Sequence, residues 1–374
     1  MIREAFGLIY AGDEVTNLRE LVDTRTVGAL PVGGKYRVID FTLSNFVNSD
    51  IRNVGVITSR NYNSLMDHLS SGKAWDLSRK SDGLFILTPF SLRENPGIFR
   101  GKVEALKSGM DYIRRAKQEY CILTGSTQVY NTTFDDMMRF HVESGADVTV
   151  MYQKTNTVVH GDGFHDVFLE VAGDGTVESI EINPMLSELN ALSMKTYILR
   201  KDILIYLIDE SFSKGEYKFS EDLLRNNLHR IKVMAYEHKG YVGTMRSVAA
   251  YYQMNMDLLD PDIRDELLAS KNRVFTKVKD SVPAKYMETA EVKNSLIANG
   301  CIIEGKVENS ILFRDVHIGR DACVKNSIVL ANTEIADGAE LEYTILDKNV
   351  SVRPRSRLVG AREFPMVIRK GGLV

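Results

Sequence analysis

From Leu312 onward, large aliphatic residues return at every sixth position: Leu312, Ile318, Val324 and Leu330, then Leu346, Val352 and Leu358. A period of six fits neither the 3.6 of a helix nor the 2 of a strand. It marks a parallel β-helix, in which each coil stacks its apolar corner on the one before. A longer unit overlays it: Val292-Lys-Asn-Ser-Leu, Val307-Glu-Asn-Ser-Ile, Val324-Lys-Asn-Ser-Ile and Leu341-Glu-Tyr-Thr-Ile. The last three copies begin 17 residues apart, close to three hexapeptides, so the pattern predicts about four imperfect coils over residues 286–374.

Before this the rhythm is different. Short β-rich runs, Phe6–Tyr10, Val54–Thr58, Tyr120–Thr124 and Val148–Tyr152, alternate with amphipathic stretches. Val103, Leu106, Met110 and Ile113 fall on one helical face, and Phe134, Met137, Met138 and His141 repeat that spacing. Such alternation predicts an α/β domain over residues 1–256, a Rossmann-like, mostly parallel sheet with helices on both faces. Residues 257–285, with Pro261 and a helical Ile263–Leu268 stretch, read as a linker.

Composition narrows the function. Lys plus Arg is 47 against 50 Asp plus Glu, a net charge of −3, which gives no electrostatic case for nucleic acid or an anionic membrane. The three cysteines, Cys121, Cys301 and Cys323, lack metal-ligand spacing and suit a reducing, cytoplasmic home. The chain opens Met-Ile-Arg-Glu without a signal-peptide pattern, and no apolar run nears the ~18 residues of a membrane span. His317 is the only histidine on the coils, where an acyltransferase would want a catalytic one, and a lone exposed histidine is usually structural.

Three stretches in the sheet domain and one in the coils carry a resemblance. Pro-Val-Gly-Gly-Lys-Tyr-Arg-Val-Ile-Asp-Phe-Thr-Leu-Ser-Asn at 31–45, Gly-Lys-Ala-Trp-Asp-Leu-Ser-Arg at 72–79, Asn-Met-Asp-Leu-Leu at 255–259 and Gly-Cys-Ile-Ile-Glu-Gly-Lys-Val-Glu-Asn-Ser at 300–310 occur in order. With them the chain resembles the bacterial glucose-1-phosphate adenylyltransferase family nearly end to end. The resemblance implies a nucleotidyltransferase domain followed by a left-handed β-helix, assembled as a tetramer. The family joins ATP and glucose 1-phosphate into ADP-glucose and pyrophosphate, by positioning and by neutralising phosphate charge.

The residues that this chemistry requires are altered here. The family loop Gly-Gly-Arg-Gly-x-Arg-Leu corresponds to Gly12-Asp13-Glu14-Val15-Thr16-Asn17-Leu18, so both arginines are gone and two carboxylates have entered. A family lysine corresponds to Val27, and a Mg²⁺-binding aspartate to Ser126. A second family aspartate has no counterpart, because Lys239 to Met256 holds no Asp or Glu. The sugar-phosphate lysine corresponds to Asn183, a glycine that leaves room for glucose to Lys195, and Phe-Gly-Lys to Phe219-Ser220-Glu221. Lys35 and Arg37 match a cationic pair near the family's phosphorylated-effector site, and Arg353, Arg355 and Arg357 on the last coil are expected to face the same cleft.

The chain is therefore expected to be most similar to the family's D-type regulatory subunit: catalytically deficient, without a cofactor of its own, and completing a heterotetramer with a catalytic subunit that holds the Mg²⁺. One alternative is an active nucleotidyltransferase with a rearranged metal site using Asp135 or Asp136. Another is a homo-oligomeric sugar-phosphate sensor.

Overall fold

The computed structural model describes residues 2–13, 15–89, 99–155, 165–184 and 189–374. Its first part is a nine-stranded, mixed and mostly parallel sheet. Strands β1 (Ala5–Ala11), β2 (Asn53–Thr58), β3 (Gly83–Leu87) and β4 (Tyr120–Gly125) are all parallel, in the order β3-β2-β1-β4. To these are added β5 (Val148–Lys154), β6 (Val167–Val171), β7 (Val177–Ile182), β8 (Ala191–Arg200) and β9 (Val233–Glu237). The long β8 runs antiparallel to β4, β5 and β6, while β9 lies parallel to β5.

β1 is buried along its whole length because both faces of the sheet are covered. On one face Ile9 packs with α1 (Val38–Asn48); on the other Phe6 and Leu8 pack with α2 (Lys102–Ser108) and α3 (Met110–Arg115). The stripe Val103, Leu106, Met110 and Ile113 is thus shared by two helices, broken at Gly109, rather than lying on one. Helix α4 (Asp135–Ser144) carries the second stripe, and its His141 is a core residue whose Nδ1 meets Thr149 Oγ1 at 2.8 Å.

The stretch at 31–45 folds into a hairpin and then α1. Gly33 and Gly34 turn it with φ of 58° and 77°, a left-handed conformation that costs glycine nothing. The Gly33 N–H donates to Asn255 Oδ1 at 3.0 Å, and a Cβ on Gly33 would press on Leu258. Tyr251 donates its hydroxyl to the Pro31 carbonyl at 2.7 Å. Two stretches 220 residues apart in sequence are thereby one structural unit. A third joins through Asp40, which meets His68 Nε2 at 2.5 Å, while Trp75 stands edge-on to that imidazole.

The second part is a triangular parallel β-helix with three walls of five short strands. The first wall runs from Lys285–Tyr286 to Ser351–Val352, the second from Glu291–Lys293 to Arg357–Val359, and the third from Leu296–Ile297 to Met366–Ile368. Val307, Val324, Leu341 and Leu358 are in register, so most coils take 17 residues. The six-residue step therefore fails once per turn: Leu312 pairs with Val329, not with Leu330. Val329 fills the prism, and Leu330 is buried outside it.

Each position of the Val-x-Asn-Ser-Ile unit has its own task. The Val or Leu points into the prism. Asn309 and Asn326 make the corner at φ of 46° and 47°, which asparagine tolerates better than most residues. The hydroxyls form a ladder, Ser310 Oγ accepting from Ser327 N at 3.1 Å and Ser327 Oγ from Thr344 N at 3.2 Å. Ile311, Ile328 and Ile345 point out of the third wall into a core shared with Leu18, Leu21, Leu30, Tyr251 and Leu258 of the sheet domain.

Residues 257–285 do more than connect. After Pro261–Arg264 and Asp265–Ala269, the chain is strapped across the sheet domain. Asn131 Nδ2 donates to the carbonyls of Leu267 and Asn272 at 2.8 Å each, and Phe275 N donates to Ser44 Oγ at 2.9 Å.

Candidate functional site

Two cavities hold most of the residues of interest. The smaller, of about 300 Å³, lies beyond the C-terminal end of β1, where an open α/β sheet places its ligands. Tyr10, Asp13, Lys102, Lys195, Lys218 and Glu221 line it. The Asp13 carboxylate reaches over Gly125, an oxygen standing 3.4 Å from where a Cβ would be. A carboxylate thus lines the pocket beside Gly125.

Ser126 itself is buried, and its Oγ would come within 2.9 Å of a Cβ on Gly28. Val27, next to that glycine, packs with Val15, Leu18 and Leu21 in the interdomain core. Asn17 is half-buried on the 3-10 turn Thr16–Val22 and Glu14 lies outside the described residues. Asn183 serves a turn at φ 47°: its Oδ1 accepts from Asp166 N at 2.8 Å, and its own N–H donates to the Asp166 carbonyl at 2.9 Å. Of the altered positions, the structure brings Asp13, Lys195 and Glu221 together, places Val27 with Asp13 on an adjoining cavity of about 390 Å³, buries Ser126, and leaves Asn183 outside the lining.

Among the described residues, no group of three or more His, Cys, Asp or Glu side chains could hold a metal ion. Asp135 and Asp136 are exposed on the first turn of α4, Asp136 paired to Arg139 at 3.2 Å, and neither lines the cleft. A Mg²⁺ on transferring phosphates takes one or two carboxylates; those in the cleft lining are Asp13 and Glu221, the second paired with Lys218 at 2.5 Å.

The larger cavity, about 680 Å³, lies between the two domains. Lys35, Arg264, Arg273, Lys279 and Arg314 line it, and no carboxylate is among its lining residues. On its flank Lys348 is half-buried and pushed down to about 7, by burial first and then by the charges of Arg37, Arg25 and Lys279. Arg25 is fully buried and holds both oxygens of Asp347 through Nη2, at 2.8 and 2.7 Å, while its Nη1 has no partner among the described residues. Burial likewise lowers Arg37, whose Nη1 donates to Ser64 O at 2.6 Å and Ser64 Oγ at 3.1 Å.

The expected effector residues therefore separate. Lys35 lines the interdomain cavity and is exposed; Arg37 is buried one layer in, beside Lys348. Arg353 and Arg355 are not brought to this cleft. They stand on the corner between the first and second walls, and Arg357 on the second wall pairs with Glu340 at 3.4 Å. Asn299, Arg314 and Lys348 follow third-wall strands, and that wall faces the sheet domain. Sequence reading missed Arg25, Arg264, Arg273, Lys279, Arg314 and Lys348. The only signal was the basic stretch Lys271 to Lys279 inside the supposed linker.

The comparisons agree with the two-part fold. The nucleotidyl transferase family model matches residues 6–260, and a GlmU-like C-terminal hexapeptide model matches residues 280–363. The glycogen biosynthesis protein GlgD of Bacillus subtilis (strain 168) is 36% identical over 362 residues, covering 96% of this chain and 94% of that protein. GlgD of Geobacillus stearothermophilus is 36% identical over 371 residues, with 99% and 97% covered. A glucose-1-phosphate adenylyltransferase of Desulfitobacterium hafniense (strain Y51) is 30% identical over 364 residues, with 96% and 91% covered. No helix among the described residues is long and apolar enough to cross a membrane.

Proposed function

Because the chain belongs to the nucleotidyl transferase family, in the branch that holds GlgD and the glucose-1-phosphate adenylyltransferases, we propose that it serves glycogen biosynthesis as a regulatory, catalytically deficient subunit. Its partner is a catalytic homologue that makes ADP-glucose, in a cytoplasmic heterotetramer. The observation that carries this reading is the reversed chemistry of the cleft. Asp13 stands in the phosphate loop, and Ser126 packs against Gly28 where a carboxylate is needed. Loss of one preorganised charge contact of this kind costs about 10²–10³ in rate, and here several are lost at once. The Mg²⁺ of the reaction then belongs to the partner.

Regulation has its own support. Five cations without a carboxylate, on a cavity shared by both domains, suit a phosphorylated sugar that would bias how the domains sit. A coupling of about 1–3 kcal/mol is a 5–150-fold effect on a partner. Co-expression with a catalytic homologue should yield a mixed tetramer of higher activity than the homologue alone. A chain that binds phosphorylated sugars yet never co-purifies would instead be a free-standing sensor. Lys35→Ala with Arg273→Ala should abolish the mixed enzyme's response to such an effector, and an unchanged response removes this cavity from the account.

A further inference from the structure

Lys195 occupies a costly backbone position. It lies in the bulge where β8 slips against β5 after Ser193, at φ 54°, its N–H held by Ser193 Oγ at 3.1 Å. A left-handed conformation costs a non-glycine residue about 1–2 kcal/mol, and such an outlier points to a compensating role. The side chain lines the 300 Å³ cleft, and its ammonium lies in the field of Asp13, Asp166 and Glu221, opposed by Arg246. Lys102 shares Asp13 and stands with its Nζ 5.3 Å from the Tyr10 ring. Asp166 also pairs with Arg246, and Glu221 with Lys218 at 2.5 Å and His165 at 3.5 Å. The acids and bases come from the loop after β1, from α2, from the approach to β6, from β8 and from residues 218–221.

We infer that Lys195 is an internal latch, a cation that occupies part of this cleft, excluding sugar phosphates while tethering Asp13. This rests on reading the cleft as the nucleotidyltransferase site of the fold. Asp13 is then the counter-charge of Lys102 and Lys195 rather than simple damage. A phosphate dianion that displaced the Lys195 ammonium would face carboxylates stripped of their partner, which is unfavourable in a desolvated pocket. Removing Lys195 and Asp13 together clears the space and leaves Lys102 for an incoming phosphate.

Binding of glucose 1-phosphate by calorimetry, on the full chain, tests the latch. Lys195→Gly removes strain at φ 54° as well as the plug, so it should fold. The wild-type chain should give no saturable heat, and D13G/K195G should bind at least about tenfold more tightly. Each single variant should lower Tm, and the pair by less than the sum of the two, as expected of residues sharing one ion network. A folded double variant that binds no better than wild type overturns the latch. So does wild-type binding that K195G weakens, which would make Lys195 a ligand. Should the double variant not fold, Asp13→Asn with Lys195→Ala carries the same readout. Wild-type binding without turnover sinks the latch alone; turnover to ADP-glucose sinks the regulatory reading as well.

Discussion

Arg25 and Asp347 lie 322 residues apart in sequence and meet with both side chains out of water. Removing one partner of such a pair leaves a buried charge uncompensated, at a cost of about 3–5 kcal/mol. Arg25→Ala should therefore lower the urea midpoint far more than a surface substitution would, while Arg25→Met with Asp347→Leu should recover most of the loss. Equal midpoints for Arg25→Ala and wild type would show that the pair does not hold the domains together. Lys348, next in the chain, makes a pH prediction. Its folded value of about 7 lies below the ordinary 10.5. Below pH 7 the ammonium is protonated in both states, and folding carries the full penalty of that charge. Between pH 7 and 10.5 the unfolded chain binds the proton and the folded one does not, so this group makes stability rise with pH. Lys348→Met should flatten that rise between about pH 7 and about pH 9, measured as the difference in urea midpoint from wild type. An identical pH profile would contradict it.

At the scale of elements, the third wall of the β-helix is the informative one. Its inward residues make the prism, and its outward Ile311, Ile328 and Ile345 make the domain interface. Ile328→Ala should cost about 2–5 kcal/mol, as a core truncation does, although its side chain lies outside the prism; a loss below about 1 kcal/mol would mean a loosely docked wall. The coils were legible because stacking forces the same residue type into the same place in each turn. The domain interface was not, although its isoleucines stood in the quoted repeat, since a one-residue offset decides whether a side chain faces in or out. That offset also separates Val329 from Leu330, where six-residue counting chose the outward one. The break at Gly109 escaped for a related reason, because two short helices can share one apolar stripe.

For the molecule as a whole, local patterns gave the α/β sheet and the β-helix, and motif matching gave the altered cleft residues. The cationic seam was hidden because its residues come from separate segments: Arg25 and Lys35 near the start, Arg264 to Lys279 in the strap, Arg314 and Lys348 on the coils. Only docking of the two domains brings them together. The expectation that Arg353 and Arg355 would join them failed on rotation about the prism, which a linear repeat does not reveal. The ion network around Lys195 was partly legible: its long side chain, Asp13 and Glu221 were apparent from sequence, and Asp166 was not. The altered cleft and the cationic seam are what the proposal of a partner rather than a catalyst rests on. The most direct measurement is ADP-glucose formation from ATP, glucose 1-phosphate and Mg²⁺, by the purified chain alone and by the same chain co-purified with a catalytic homologue. This account expects no formation above background from the chain alone and a mixed complex more active than the homologue by itself. Turnover by the chain alone at a rate comparable to that homologue would contradict it.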